Sequence, residues 1–349
     1  MDDSPKPQRR IRYKGTHPKS FKEKYKELNA DKYASDVEKI RQQGKTPAGT
    51  HVPIMVKEIL EVLKPRAGET GLDATLGYGG HAQEMLKCIQ PGGHLYATDV
   101  DAQELPRTTE RLRKLGYGDD TFHPRQLNFS SAIQLKEESG GFDFILADLG
   151  VSSMQIDNPE RGFTYKHDGP LDLRLNPKKG ISAAQLLQKV STEELELILQ
   201  ENADEPLAST LALTITKNRE RGKHITTTTH LRQLITAVVK HEYGEVNEQE
   251  LRKTCQRTFQ ALRIAVNQEF TVLEKFLEVL PELLKPGGRV VILTFHSGED
   301  RRVKKAFQLY ERTGIFEEYS KEPVRPGMEE CRNNPRSKPT KLRWGVRKT

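Results

Sequence analysis

The sequence predicts a doubly wound α/β fold, with a mostly parallel sheet, interrupted by an all-helical insertion. Three stretches carry that expectation. Thr70-Gly-Leu-Asp-Ala-Thr-Leu-Gly-Tyr-Gly-Gly-His81 reads as a short strand, a tight glycine turn and the entry to a helix over Ala82 to Ile89. A second strand, His94 to Thr98, follows and ends in Asp99. Phe142 to Leu149 is apolar along its length, with Asp148 near its end. A strand with two apolar faces belongs in the middle of a parallel sheet. From about 181 to 270 apolar residues recur at helical spacing and no strand pattern appears. Strands alternating with helices on either side of such a stretch give an open sheet with an insertion between its fourth and fifth strands.

Charge bounds the partner. The 349 residues carry a net charge of +7, unevenly spread. Residues 1–50 hold 13 Lys/Arg against 7 Asp/Glu, and residues 325–349 hold 8 against 2, so each end carries +6 and the middle is left at −5. Two basic ends on an acidic body point to a polyanion, with RNA favoured. Hydrophobic residues make up 35% of the chain, enough for a globular core. No apolar run has the length of a membrane span, and the first thirty residues lack an apolar leader, so a soluble, cytoplasmic protein is expected. Cys88, Cys255 and Cys331 are odd in number and far apart. They suggest neither a disulfide framework nor a zinc site.

The elements follow in order. Residues 1–50 read as a basic extension, with Phe21, Tyr25, Leu28 and Tyr33 spaced along a charged helical stretch. The core begins with a helix over His51 to Leu63, ended by Pro65. After the glycine unit come a helix near 102–115, a strand near 121–127 and a turn at Asn128-Phe129-Ser130. The segment Asp148 to Arg174 is polar, punctuated by glycine and long for a connection, which marks it as functional. In the insertion, helices are expected over 183–190, 193–201, 209–217, 231–239 and 256–270, with Ser182 and Thr192 as N-caps. A helix containing Pro281, a turn at Lys285–Arg289, a buried strand Val290–Phe295 and a helix opened by His296-Ser-Gly-Glu-Asp-Arg301 complete the body.

In a doubly wound sheet, ligands sit at the carboxyl ends of the strands. The glycine turn, Asp99, Asp148 and His296 would converge there. A nicotinamide dinucleotide and S-adenosylmethionine both suit such a site. The glycines at 77, 79 and 80 lack the third member of the dinucleotide pattern, and Asp73 beside the loop would repel a pyrophosphate. A cationic sulfonium tolerates it, so electrostatics favours S-adenosylmethionine.

The blocks Asp-Ala-Thr-Leu-Gly-Tyr-Gly-Gly-His, Asp-Leu-Gly-Val-Ser-Ser-Met-Gln-Ile-Asp, Arg-Gly-Phe-Thr-Tyr, Asp-Gly-Pro-Leu-Asp-Leu-Arg, Arg257-Thr-Phe-Gln-Ala-Leu-Arg-Ile264 and Phe295-His-Ser-Gly-Glu-Asp-Arg resemble the RsmH (MraW) family over about residues 51–343. That resemblance implies a Rossmann-like S-adenosylmethionine-dependent methyltransferase fold with an inserted helical domain. It also implies methyl transfer to N4 of a cytidine in the decoding centre of small-subunit (16S) ribosomal RNA. It puts Gly79, Gly80 and His81 at the methionine end of the cofactor, with Asp73 and Gly77 in the same loop. Asp99 takes the ribose, Phe129 lies by the adenine, and Asp148 and Gln155 complete the site. The insertion becomes the RNA-binding part. The organisation expected is a basic extension at 1–50, a methyltransferase domain at 51–165 and 271–324, the helical insertion at 166–270 and a basic tail at 325–349. Gly298 stands where the family usually has Leu.

The exocyclic amine of cytosine is a poor nucleophile, so positioning supplies much of the acceleration. Asp148 or Asp157 would orient the amine by accepting its hydrogen bond. His296 is read either as a base or substrate contact, or as a loop histidine held by structure. Phe163 and Tyr165 would receive a flipped base or pack the core, and Asp168, Asp172 and Arg174 would brace the loop. Three other functional readings stay open. One is a paralogue acting on another cytidine or RNA. Another is a non-catalytic ribosome-binding factor. The third is a nicotinamide-dependent oxidoreductase, against which the glycine spacing argues. Monomer and homodimer stay open as well.

Overall fold

The structure is a computed structural model and describes residues 53–244 and 247–349. The basic extension with its aromatic residues, and His51 at the expected helix start, lie outside the described residues.

Helix α1 (Val56–Leu63) leads into strand β1 (Thr70–Asp73), helix α2 (Gly80–Ile89), strand β2 (His94–Asp99), helix α3 (Glu104–Lys114), strand β3 (Phe122–Gln126) and strand β4 (Phe142–Asp148). Between β3 and β4 a 3-10 turn, Phe129–Leu135, starts on the Asn128 side chain, which accepts from Ser130 N–H. The insertion supplies α4 (Ala183–Lys189), α5 (Thr192–Ala203), α6 (Ala208–Glu220), α7 (Thr228–Tyr243) and α8 (Glu248–Asn267). Helix α9 (Glu269–Leu283), strand β5 (Leu284–Thr294), helix α10 (Ser297–Arg312), strand β6 (Phe316–Tyr319) and strand β7 (Lys341–Arg347) close the chain.

The seven strands lie in the order β3-β2-β1-β4-β5-β7-β6. The first five pair in parallel, and β7 runs antiparallel to both its neighbours. The expected doubly wound, mostly parallel sheet is therefore present, with the apolar β4 at its centre. The strands alternate their faces. Phe144 and Leu146 pack with α1, α2 and α3, while Ile145 and Ala147 pack with α9 and α10. A third apolar cluster lies within the insertion, built on Leu195, Leu199, Leu211, Ile235 and Leu262.

Three local expectations need correction. Ser191, not Thr192, caps α5, because its hydroxyl accepts from Glu194 N–H while the Glu194 carboxylate accepts from Ser191 N–H in a capping box. Residues 285–288 do not separate helix from strand. They form an irregularity inside β5, where the partner of Phe142 is Leu284 and that of Phe144 is Arg289. The basic stretch expected as a C-terminal tail instead contributes β7, hydrogen-bonded between β5 and β6.

Pro281 is housed by a specific contact. A proline has no N–H to give the carbonyl four residues back. That carbonyl, on Leu277, instead accepts from the buried Tyr310 hydroxyl on α10.

Candidate active site

The carboxyl ends of β1, β2 and β4 each carry an aspartate, and the chain folds so that their turns meet. After β1, Asp73 accepts from Thr75 N–H at 3.1 Å. The loop then passes through Gly77 and Gly79, both at positive φ (48° and 70°). Gly77 N–H donates to Asp99 Oδ2 at 2.7 Å, tying the loop to the end of β2. Helix α2 begins at Gly80. A Cβ on Gly79 would come within 2.8 Å of the Thr108 methyl, and one on Gly80 within 3.0 Å of the Pro53 ring. The loop is thus packed from behind by α3 and by the residues before α1, and only glycine fits.

His81 is buried at the start of α2. Its Nε2 lies 2.8 Å from the Ile54 carbonyl. A carbonyl only accepts, so Nε2 carries the hydrogen and Nδ1 presents a lone pair. Nδ1 faces Asp148 Oδ2 at 3.6 Å. Burial pushes the imidazole pKa down, against the opposing pull of the Ile54 carbonyl and Asp73, and so favours the neutral ring.

Asp148 ends the central strand. Its N–H donates to Thr75 Oγ1 at 2.6 Å. Its Oδ1 is buried without a hydrogen-bond partner. Burial, followed by the nearby Glu299 charge, pushes its carboxyl up to about 7. Asp73 is likewise raised to about 7 by burial, with Asp148 and Asp99 adding to the shift and His81 opposing it. Asp99 is raised by burial against the backbone N–H groups of Asp101 and Gly77. Three carboxylates held above their ordinary range around one glycine loop form a site short of positive charge.

Gln155 stands on the short helix Ser153–Asp157 after β4. Its carbonyl accepts from Ser152 N–H at 2.9 Å, and its amide donates to Asp101 Oδ2 at 2.9 Å. Phe129 packs edge-on against Phe276 with ring centroids 5.2 Å apart. Asp157 pairs with Arg336 at 2.7 Å, so it braces the short helix. His296 lies after β5, with Nε2 3.2 Å from Glu299 Oε1. Neither of its ring nitrogens meets a partner in hydrogen-bonding geometry. Glu269 completes that group, and the Arg263 guanidinium forks onto Glu269 with two 2.8 Å bonds. Phe163 and Tyr165 pack the insertion's core, Tyr165 edge-on to Phe259. Asp172 and Arg174 form the expected brace, and Asp168 accepts from Thr229.

Gly298 is held to glycine by its neighbours. A Cβ there would lie 2.5 Å from the Phe270 ring, which is itself covered by the Arg302 guanidinium, 3.6 Å from its centroid. Any side chain at 298 displaces that stack.

Two buried residues were given no role by the sequence motifs. Asp101 is fully buried, and its Oδ2 pairs with Arg161 at 2.8 Å. Burial pushes Asp101 up, but Arg161 and Gln155 outweigh it, and the carboxyl stands below its usual value. Arg161 also donates to the carbonyls of Arg174 and Leu175. The signal was a second acid two residues after Asp99.

Residues 48–348 match the model of the MraW methylase family. The chain is similar to ribosomal RNA small subunit methyltransferase H 1 of Lachnoclostridium phytofermentans, at 56% identity over 99% of this chain and 94% of that one. It is also similar to ribosomal RNA small subunit methyltransferase H 2 of Alkaliphilus metalliredigens, at 57% identity over 98% of each. The ribosomal RNA small subunit methyltransferase H of Trichlorobacter lovleyi is 39% identical over 84% of this chain and 96% of its own.

Proposed function

The chain belongs to the MraW methylase family, and from that premise we propose that it methylates N4 of a cytidine in the decoding centre of small-subunit ribosomal RNA, with S-adenosylmethionine as donor. The relatives' names supply the small ribosomal subunit. The choice of amine and nucleotide rests on the family resemblance of the loop Asp148 to Asp157 and on the chemistry of Asp148. The donor fits the site on electrostatic grounds. Asp73, Asp99 and Asp148 are all raised by burial, and a cation is the ligand that relieves them.

Bound there, S-adenosylmethionine supplies a methyl group on a positively charged sulfur. The chain's task is then to hold an amine in line with it and to accept one proton. Asp148 Oδ1, buried and unpartnered, is the observation that carries this reading. It accepts a hydrogen bond from the amine, which favours the pyramidal nitrogen of the transition state. The proton that the amine gives up on methylation would go to that oxygen. Asp99, with the glycine loop, would hold the ribose, and His81 would close the methionine end. The target base must leave its stack to reach Asp148. Residues 166–270 serve as the RNA-facing module. The family match begins at residue 48, and coverage falls from 99% to 84% between relatives. Both support residues 1–50 as an addition to the family core. We place the protein in the cytoplasm, where its substrate is; no described helix is long and apolar enough to cross a membrane.

The test is transfer of labelled methyl to small ribosomal subunits lacking their own methylations, with the labelled nucleotide mapped. Label on N4 of the decoding-centre cytidine is expected, and Asp148→Asn is expected to cut turnover at least 100-fold, a far larger loss than the weakening of cofactor binding that removal of one carboxylate charge brings. Label on another nucleotide would point to a paralogue, and no label on any RNA to a binding factor.

A further inference from the structure

The chain between β6 and β7 does not hang free. At its start Val324 and Leu342 exchange two backbone hydrogen bonds of 2.9 Å. Midway, Glu330 Oε1 accepts from Met55 N–H at 2.8 Å, and its charge is among those acting on His81. Further on, the Arg336 guanidinium reaches Asp157 Oδ1 at 2.7 Å and the Ser153 carbonyl at 3.3 Å. The segment is therefore pinned to the residues just before α1, which pack on Gly80 and hold His81, and to the short helix after β4. His81 faces Asp148 and the short helix follows Asp148 in the chain. The segment forms a strap tied to both elements that border that carboxylate.

Its exposed side is cationic. Arg325, Arg332 and Lys338 are exposed. The side chains of Arg332 and Lys338 have no ion-pair or hydrogen-bond partner among the described residues. Arg325 reaches only the carbonyls of Pro339 and Thr340, both at 3.4 Å. Of the two acids on this segment between Arg325 and Lys338, Glu330 is engaged by Met55, which leaves Glu329. Met328, 80% exposed, is the most exposed large apolar side chain among the described residues and lies on the same strap.

Anchored backbone with unpaired cations is the arrangement that positions a nucleic-acid backbone without reading its sequence. A base drawn out of its stack carries a phosphate on each side, and these would lie against the elements that border the carboxylate. We propose that residues 324–340 are a phosphate-holding strap for the single-stranded RNA that flanks the target nucleotide, with Arg332 and Lys338 making the contacts. This rests on the reading that the substrate is RNA and assigns the rim of the same site.

The test uses the full chain, a labelled single-stranded RNA oligonucleotide, small ribosomal subunits and a titration with S-adenosylmethionine. Each phosphate neutralised on a single strand contributes about 0.7 to the slope of log affinity against log salt. The double variant Arg332→Glu, Lys338→Glu is expected to flatten that slope by about 1.4. Oligonucleotide affinity at low salt is expected to fall roughly tenfold or more, the KM for subunits to rise, and cofactor affinity to hold. The pair Arg332→Lys, Lys338→Arg is expected to keep the wild-type slope. An unchanged slope and affinity in the reversed variant would overturn the proposal. If that variant loses cofactor binding, the neutral pair Arg332→Gln, Lys338→Gln decides in its place, with the same flattening expected. Should the wild-type chain transfer no methyl to ribosomal RNA while the oligonucleotide slope still falls as stated, the substrate reading fails and the strap stands.

Discussion

Asp148 carries its meaning through what surrounds one oxygen. The carboxylate is raised to about 7 by burial and Glu299, its Oδ2 faces a neutral His81, and its Oδ1 is buried without a hydrogen-bond partner. The sign of the pH effect on binding follows. With folded-state values near 7, Asp73 and Asp148 are protonated below that pH and ionise as pH rises through it. A cationic ligand prefers the ionised forms. S-adenosylmethionine is therefore expected to bind more tightly at pH 8 than at pH 6. S-adenosylhomocysteine, which lacks the sulfonium, should show a smaller change. Calorimetric titrations at both pH values check this, and equal pH dependence for the two ligands would show that the carboxylates do not sense the sulfur charge. The aspartates at the strand ends were legible because an acid closing an apolar run has few other uses. The arrangement of Asp148 and His81 was not legible, since it depends on the Ile54 carbonyl selecting the tautomer of a ring 27 residues away.

At the scale of elements, Pro281 and Tyr310 show how two helices are matched. The hydroxyl on α10 satisfies a carbonyl that the proline on α9 cannot reach. Tyr310→Phe leaves that buried carbonyl without a partner and is expected to cost about 1–3 kcal/mol, read as a lower denaturant midpoint with the fold retained. A loss below about 0.3 kcal/mol would mean that water replaces the hydroxyl. Helices and parallel strands were placed from periodicity and caps, as with Ser182, whose hydroxyl accepts from Gln185 N–H in the structure. The helix expected over 256–270, however, is the end of α8, begun at Glu248, and the start of α9 after a left-handed break at Gln268. Strand β7 was hidden by its composition. Lys341-Leu-Arg-Trp-Gly-Val-Arg looks basic, yet Leu342 is wholly buried and Arg343 is 2% exposed, its charge met by Asp300 at 2.6 Å. The partner that makes such an arginine buriable is 43 residues distant, so charge counting mistook a sheet strand for a tail.

For the whole molecule, the buried pair Asp101–Arg161 joins parts that sequence keeps apart. Asp101 N–H donates to Asp99 Oδ1, and Arg161 donates to the carbonyls of Arg174 and Leu175. Asn267, at the end of α8, then accepts from Leu175 N–H and donates to the Leu173 carbonyl. Asp99 is thereby linked to the frame of the insertion. Arg161→Met strands a buried carboxylate and is expected to cost about 3–5 kcal/mol, and it should weaken S-adenosylmethionine binding through the displaced Asp99 and Gln155. Thermal melts and cofactor titrations check both. A variant with wild-type melting and binding would show the pair to be dispensable. The insertion has one more consequence, for the order in which the molecule assembles. Strands β4 and β5 lie side by side, yet Asp148 and Leu284 are separated by the whole insertion. Joining them from an open chain means closing a very long loop, whose entropic cost grows with its length. Early collapse of the helices onto their own apolar cluster would shorten that loop and so lower the cost of docking the second half of the sheet.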